Sequence, residues 1–595
     1  MARTALVTND GFRDVLEIGR QRRPELYDLD TRRPQPLVER RDRLTIRCRI
    51  GADGAELEPM DRGSSGLLAS QVIDRGFDAV AVCFLNSYRN DVHEEETRDA
   101  LVRRGFHGHV SISSEVDREY REYERMSTTV VNAALSPLMT RYLSGLRSSL
   151  RHSHIRAPIY VMNSDGASST IEFASSRPVT VIESGPAAGV IASKQLAAEL
   201  SLERVLTFDM GGTTAKAGTV IDGEPDIINE FEAAGKTHSG RSIRGSGYPV
   251  RGQFIDLAEV SAGGGTVAWV DDAGDLKVGP MSAGSVPGPA CYGSGGREAT
   301  VTDSNVVLGR LNPKSLLGGS MPIRRDLALQ SMGRLSRKLG LDKNEVATGI
   351  VRLVNSGMAR AISMVTVERG RDPRDFVMVA FGGAGPVHAC ELAEEMGIDE
   401  VLVPIHAGLF SAYGLLAGDL TRAFTFPVME AEPRLRGVFE KLESEASRKL
   451  RSEGFSRFVM RRYFEGRYKG QSHELLLPFT TESRMRTSFD ARHRDLYGYS
   501  LPDQLEVVNI WVRATVRGRP LRTLEAHTSL PKSKPSDRLA WLCGKYLPVK
   551  VYTREALEPG ESGAGPCIIE EYDSTLVVNP GWRWSAESYG TMLTR

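Results

Sequence analysis

The sequence predicts a multidomain α/β enzyme, on three observations. Continuous apolar runs typical of buried parallel strands, such as residues 79–85 (AVAVCFL) and 376–381 (FVMVAF), alternate with helical stretches. Two predicted strands, 205–208 (VLTF) and 376–381, run straight into paired glycines. The 595 residues suggest about four domains at ~150 residues each, with several cores of ample size.

Composition excludes several classes. Lys plus Arg and Asp plus Glu are each 76, so the formal net charge is zero. That argues against a dedicated nucleic-acid or membrane-surface protein, both of which usually need a basic excess. No uninterrupted apolar run reaches the ~18 residues of a spanning helix. The first residues, Met1-Ala2-Arg3-Thr4-Ala5-Leu6, lack the apolar core of a secretion signal. The expectation is a cytoplasmic enzyme with neither nucleic acid nor membrane as partner. Six cysteines (Cys48, Cys83, Cys291, Cys390, Cys543, Cys567) form no CxxC pair, so neither a disulfide framework nor a zinc site is expected. Glycine is the informative excess: 22 of the 59 fall within 201–320, a clustering that lets backbone approach a ligand or turn sharply.

The elements follow in order. Residues 4–8, 44–50, 79–85 and 110–113 read as strands, with helices at 12–20, 68–75 and 92–104 between them. A long helical pattern covers 117–151, broken near Pro137. Strand 159–162 precedes Asn163-Ser164-Asp165-Gly166, and a helix over 186–200 opens with Pro186 after Ser184 as candidate N-cap. Strands 205–208 and 217–221 flank a tight glycine turn. The stretch 233–253, with Lys236, Arg241, Arg244 and Arg251, reads as a solvated loop or a mobile loop for an anionic substrate. Apolar residues at 346, 350, 354, 358, 362 and 365 bury one face of a helix over 343–369. Strand 376–381, a glycine turn, a helix to about Met396 and strand 400–403 make a βαβ unit, which places ligand at the strand's carboxyl end. Beyond about 425 the pattern turns to β alternation, with a Pro/Ser/Lys-rich linker at 529–537. The domains are therefore 1–113, 114–425 and 426–595.

Three glycine runs carry the chemistry. In Asp209-Met210-Gly211-Gly212-Thr213-Thr214-Ala215-Lys216 the free N–H groups of 211–214 and the two threonine hydroxyls can donate to a polyphosphate. Asp209 would hold Mg²⁺ through water. An ordinary hairpin is the alternative. Gly382-Gly383-Ala384-Gly385 can admit a nucleotide base or ribose, or be a plain βα turn; His388 just beyond reads as structural. Ser261-Ala262-Gly263-Gly264-Gly265 is again strand into glycine. Cys291 invites a nucleophile reading, but no basic residue adjoins it. Thr302-Asp303-Ser304-Asn305 could orient a metal or cap a helix, with the cap favoured.

These runs, in order, resemble the hydantoinase A / 5-oxoprolinase family. The matching stretches are TALVT at 4–8 with GFRDVLEIGR at 11–20, REYER at 121–125, STT at 127–129, SGPA at 184–187 and DMGGTTAK at 209–216. They continue with GYPVR at 247–251, AGGGTVAWVD at 262–271, PGPACYG at 287–293 and TDSNVVLGRL at 302–311. VERGRDPRDF at 367–376, FGGAGPVHACELA at 381–393 and IIEEYDST at 568–575 complete the set, which spans nearly the whole chain.

The resemblance implies an actin-like (ribonuclease H-like) ATPase fold with a β-rich C-terminal domain, and ATP with Mg²⁺ as cofactors. It implies ATP-dependent activation of a cyclic amide carbonyl, of hydantoin or 5-oxoproline type; carboxylation of an acetone- or acetophenone-like ketone is the alternative. Asp209, Thr213 and Thr214 would be catalytic, Asp209 also the metal ligand. Gly211, Gly212, Gly263, Gly264, Gly382, Gly383 and Ala384 would bind the nucleotide. The hairpin and the 382–385 turn are expected to face each other across a cleft. A hydantoinase B-type subunit is the expected partner, and Lys216 and Gly218 fit the oxoprolinase/carboxylase branch slightly better. Family chains begin with a first phosphate loop, DxGGTxTD, followed by HGTT; this sequence starts downstream of both. Three expectations compete: a start codon further upstream, a separate small subunit carrying that loop, or a non-catalytic pseudo-ATPase subunit.

Overall fold

The structure, a computed structural model, describes residues 2–595 apart from 26, 29, 31–33, 236, 239, 240, 243, 244, 432 and 519–533. The N-terminal part is a four-stranded parallel sheet in the order Arg43–Ile46, Thr4–Asn9, Ala79–Val82, His109–Ile112. Thr4–Asn9 and Ala79–Val82 are buried throughout, which explains the unbroken apolar run of the second. The helix Glu122–His152 packs across this sheet through Met126, Val130 and Ala133. It runs through Pro137 without a break, a correction to the sequence reading. Proline removes one N–H from a helix of 31 residues, and the buried face on either side keeps it continuous.

The central sheet has nine strands. Its main order is Glu224–Pro225, Ala215–Ile221, Arg204–Met210, Val377–Phe381, Glu400–Pro404, Gly590–Thr594, Arg583–Glu587 and Ser562–Ala564; Ala258–Val260 pairs alongside Ala215–Ile221. Arg204–Met210, Val377–Phe381 and Glu400–Pro404 are parallel neighbours, joined by the predicted βαβ unit with helix Gly385–Met396. Helix Lys343–Val365 lies against the sheet with Val346, Ile350, Val354, Met358 and Ile362 buried, as the 3.6-residue spacing requires. By length and composition it is the one described helix able to cross a membrane, and more than half of its apolar window is buried inside this core.

Residues 426–595 divide between three sheets. Leu420–Ala431, Val459–Tyr468, Leu475–Pro478 and Leu505–Val516 build a six-stranded sheet with Tyr160–Met162 and Ser168–Thr170, covered by helices Arg436–Ser452 and Glu482–Tyr497. Ser536–Leu542, Lys545–Thr553, Cys567–Glu570 and Thr575–Val578 form another. The remaining strands join the central sheet. Most of the expected 529–537 linker lies outside the described residues, and Ser536–Leu542 is a strand.

The stretch 233–253 is also corrected. Ile227–Ala233 and Tyr248–Ile255 pair antiparallel, and Arg251 is drawn inward by ion pairs to Asp117 (3.6 Å) and Glu119 (3.2 Å). Burial works against the Arg251 charge, but those two carboxylates outweigh it and hold its pKa above the ordinary arginine value. Lys236 and Arg244, and the side chain of Arg241, lie outside the described residues.

Candidate functional site

Asp209 is the penultimate residue of Arg204–Met210 and sits opposite Lys216 in the antiparallel pair with Ala215–Ile221. The Gly211 N–H closes the turn on the Thr214 carbonyl at 3.1 Å. Gly212 and Thr213 are exposed at its tip, with Gly211 and Thr214 half-buried. A Cβ placed on Gly211 or Gly212 meets no protein atom within 4 Å, and neither residue has a positive φ. Neither packing nor backbone conformation therefore demands glycine at these two positions.

Gly263 and Gly264 are a different case. Both are buried beneath the hairpin. A Cβ on Gly263 would lie 2.5 Å from the Thr213 nitrogen, and one on Gly264 would lie 2.7 Å from the Thr302 hydroxyl. The Gly264 N–H donates to the Gly211 carbonyl (3.0 Å) and the Gly265 N–H to that of Gly212 (2.6 Å). These glycines support the hairpin tip from below, and their bare backbone serves approach within the protein.

The third run is adjacent rather than opposite. Val377–Phe381 pairs in parallel with Arg204–Met210, placing Phe381 beside Asp209. The Ala384 N–H donates to the Met210 carbonyl at 3.0 Å, and a Cβ on Gly382 (φ +82°) would fall 2.5 Å from an Asp209 carboxylate oxygen. The hairpin and the 382–385 turn are thus side by side at one end of one sheet, not across a cleft, because they follow neighbouring strands. Gly383 is exposed, and a Cβ there would make only an ordinary 3.5 Å contact with the Asp573 carbonyl.

Further groups meet here to which the sequence reading gave no site role. The Ser411 hydroxyl, on helix Phe410–Ala417, donates to Asp209 at 3.4 Å. Lys216 is paired at 2.6 Å with Glu183, which precedes helix Ser184–Leu200 in a left-handed conformation (φ +64°). That helix starts at Ser184 itself, so Ser184 is not its N-cap. Among the described residues, His406, Glu571 and Asp573 have potential ligand atoms within 4.8 Å of one another, beside Gly383 and Gly408. Glu571 already accepts the His406 and Ala407 N–H groups. Only the quoted run IIEEYDST marked Asp573, and spacing gave no sign that it returns to the 382–385 turn. Burial raises the pKa of Asp209 above the usual carboxylate range, opposed by Lys216 and Ser411. A cation would remove that penalty.

The remaining candidates are structural. Asp303 accepts N–H groups from Thr300, Ala290 and Cys291, and completes a capping box with Thr300 at the start of helix Val301–Val307. Its carboxylate is occupied by these donors. Cys291 is fully buried, and burial together with Asp303 pushes its thiol far above the ordinary value, which removes the nucleophile reading. All six cysteines are free.

His388 is fully buried between Asn355 (2.8 Å) and Asn305 (3.2 Å), and burial pushes its pKa down to about 4. The unfolded side chain titrates near ~6.5. His388 therefore contributes stability that is complete above that pH and is lost as pH falls toward 4, by about 3 kcal/mol. Denaturant unfolding at pH 7 and pH 5 should show about 2 kcal/mol of this loss, and it should shrink in His388→Gln, which has no such titration.

A separate concavity of about 980 Å³ lies between the N-terminal sheet and the six-stranded sheet. It is bordered by His109, Val110 and Ser111, from the edge strand of the parallel sheet. Its lining includes side-chain atoms buried without a hydrogen-bond partner: Nε and Nη1 of Arg422, Nε2 of Gln253, Nε1 of Trp511 and Oδ2 of Asp117.

Over 599 residues the chain is 44% identical to an uncharacterized protein of Methanocaldococcus jannaschii, covering 99% of this chain and 87% of that one. It is 33% identical to caprolactamase subunit alpha of Pseudomonas jessenii, with the same coverage. It is 29% identical to 5-oxoprolinase 1 of Arabidopsis thaliana, of which it spans 49%. The fold superposes on the crystal structure of the ATP-dependent caprolactamase of Pseudomonas jessenii with a TM-score of 0.82 at 32% identity. It superposes on nucleotide-free acetone carboxylase with a TM-score of 0.79 at 22% identity; each match covers 100% of this chain and 88% of the other. Family models match residues 1–105 (hydantoinase/oxoprolinase N-terminal region), 125–424 (hydantoinase/oxoprolinase) and 427–591 (hydantoinase/oxoprolinase C-terminal domain), and the chain belongs to the hydantoinase/oxoprolinase family.

Proposed function

We propose that this chain is the ATP-using subunit of an enzyme that activates the carbonyl of a cyclic amide for hydrolysis. One observation carries the reading. Gly211, Gly212 and Gly383 are glycines that the fold does not require, and they cluster where the strands around Asp209 end. Bare backbone left facing outward fits a bound polyphosphate, although the Gly211 N–H is already held by the Thr214 carbonyl.

Bound ATP with Mg²⁺ would supply a transferable phosphoryl group, which turns the amide oxygen into a leaving group. The chain's own residues position and neutralise. The N–H groups of Gly212 and Thr213 and the hydroxyls of Thr213 and Thr214 donate to phosphate oxygens. Asp209 carries the charge that holds Mg²⁺, through water, while Ser411 orients its carboxylate. Gly382, Gly383 and Ala384 accept the adenosine, and Gly263 and Gly264 fix the height of the hairpin. The 33% identity to caprolactamase subunit alpha favours a lactam over a ketone; likeness to the acetophenone carboxylase gamma subunit, at 29%, keeps carboxylation as the second reading.

The partners follow from the same reading. A hydantoinase B-type subunit completes the reaction. The orphaned polar atoms and the open strand edge beside the 980 Å³ concavity favour a partner that adds β-structure there.

Gly212→Val tests the nucleotide assignment. Since the protein leaves space there, the melting temperature should stay within ~1 °C. ATP affinity by calorimetry should fall at least ~10-fold, about 1.4 kcal/mol. Unchanged affinity would remove the hairpin from the nucleotide site. ATP hydrolysis that rises only with lactam, and not with ketone and bicarbonate, would decide between the two substrates.

A further inference from the structure

We infer that His388 is a positioning residue for the proposed nucleotide site, acting in one fixed protonation pattern. This rests on the nucleotide reading above. Its basis is a chain of buried polar contacts that joins the two glycine structures from behind.

The direction of every hydrogen bond in that chain follows from one end. Glu391 accepts from Arg310 at 2.5 Å, and a carboxylate in that pair offers only acceptors. Its other oxygen, 2.7 Å from the Asn355 amide, must therefore receive the Asn355 NH₂. That leaves the Asn355 carbonyl turned toward His388, so His388 Nδ1 carries the proton across the 2.8 Å contact. Nε2 is then an acceptor, and it takes the Asn305 NH₂ at 3.2 Å. Asn305, Asn355 and His388 are each more than nine-tenths buried, so no water competes for these bonds.

The chain ends at the site from both sides. His388 lies in the first turn of helix Gly385–Met396, which begins in the 382–385 glycine turn. Asn305 lies one turn along helix Val301–Val307 from Thr302. The Thr302 N–H and hydroxyl both donate to the Gly264 carbonyl at 2.8 Å, and Gly264 in turn donates to Gly211. His388 therefore ties the adenosine turn to the shelf that carries the phosphate hairpin. Phenylalanine or leucine would fill the volume, but neither could bridge the two asparagines.

Three measurements test this. On the parent chain, ¹⁵N–¹H spectra should place the His388 proton on Nδ1, with no titration between pH 5 and 8. A proton on Nε2, or an imidazolium at pH 7, would overturn the inference. His388→Leu should raise the ATP dissociation constant at least ~10-fold, and in the turning-over complex should raise KM while kcat stays within ~3-fold. His388→Gln, which offers one donor and one acceptor, should restore ATP affinity to within ~3-fold of the parent. A leucine variant with parental ATP affinity, or a glutamine variant no better than leucine, would make His388 a core residue only. If the parent itself binds no ATP, the nucleotide reading fails; the tautomer result stands apart from it.

Discussion

Asp209→Ala should abolish ATP turnover in the reconstituted complex, by ~10³-fold or more, about 4 kcal/mol of lost stabilisation. Within the hairpin itself no other carboxylate competes with Asp209. Its neighbours in the hairpin are glycines and threonines, and Lys216, opposite it, is held by Glu183. The carboxylate is half-buried, with one long hydrogen bond from Ser411, so its charge is costly in the absence of a cation. Removing it should leave the melting temperature unchanged or slightly higher. Loss of turnover with an intact fold is the signature expected of a metal-holding group. Undiminished hydrolysis by this variant would end the enzymatic account.

Gly414→Val should have the largest effect on folding. Helix Phe410–Ala417 crosses helix Ser184–Leu200 in backbone contact, and a Cβ on Gly414 would lie 1.8 Å from the Ala188 carbonyl oxygen and 3.1 Å from the Ala192 nitrogen. Those atoms belong to a helix and cannot rotate away. The helices must separate, at a cost of about 3 kcal/mol or more. The damage reaches the site as well, because Ser411 rides on the displaced helix. Thermal unfolding should shift down by several degrees, and Asp209 should lose its hydroxyl donor. A variant with parental melting temperature would mean that the two helices do not pack this way.

The sequence is most legible where one physical signal decides. Residues 79–85 and 376–381 are apolar because both faces of their strands are covered, and the strands run over Ala79–Val82 and Val377–Phe381, the first being three residues shorter than its apolar run. The 343–365 helix shows its buried face in its spacing. The hairpin at 209–216 was readable because a strand, an acid and two glycines in succession leave few alternatives. What failed did so for stated reasons. The stretch 233–253 looks polar and irregular, yet Arg251 is buried by carboxylates more than a hundred residues away. Pro137 signals a break, but a long helix with a continuous buried face overrides one missing bond. Ser411, His406 and Asp573 come to the site only through strand order, which local pattern does not encode. Gly263 and Gly264 look like ligand glycines in the sequence; only the contacts reveal what their missing side chains make room for.

The pairing of Gly590–Thr594 with Glu400–Pro404 has a consequence for how the molecule is made. The strand Glu400–Pro404, beside the one that leads into the 382–385 turn, gains its second neighbour only from residues 590–594. Until then Glu400–Pro404 leaves the ribosome with one side unzipped, a long-range contact of the kind that closes slowly. Completion of the sheet beside the 382–385 turn is thereby deferred to the last stage of synthesis.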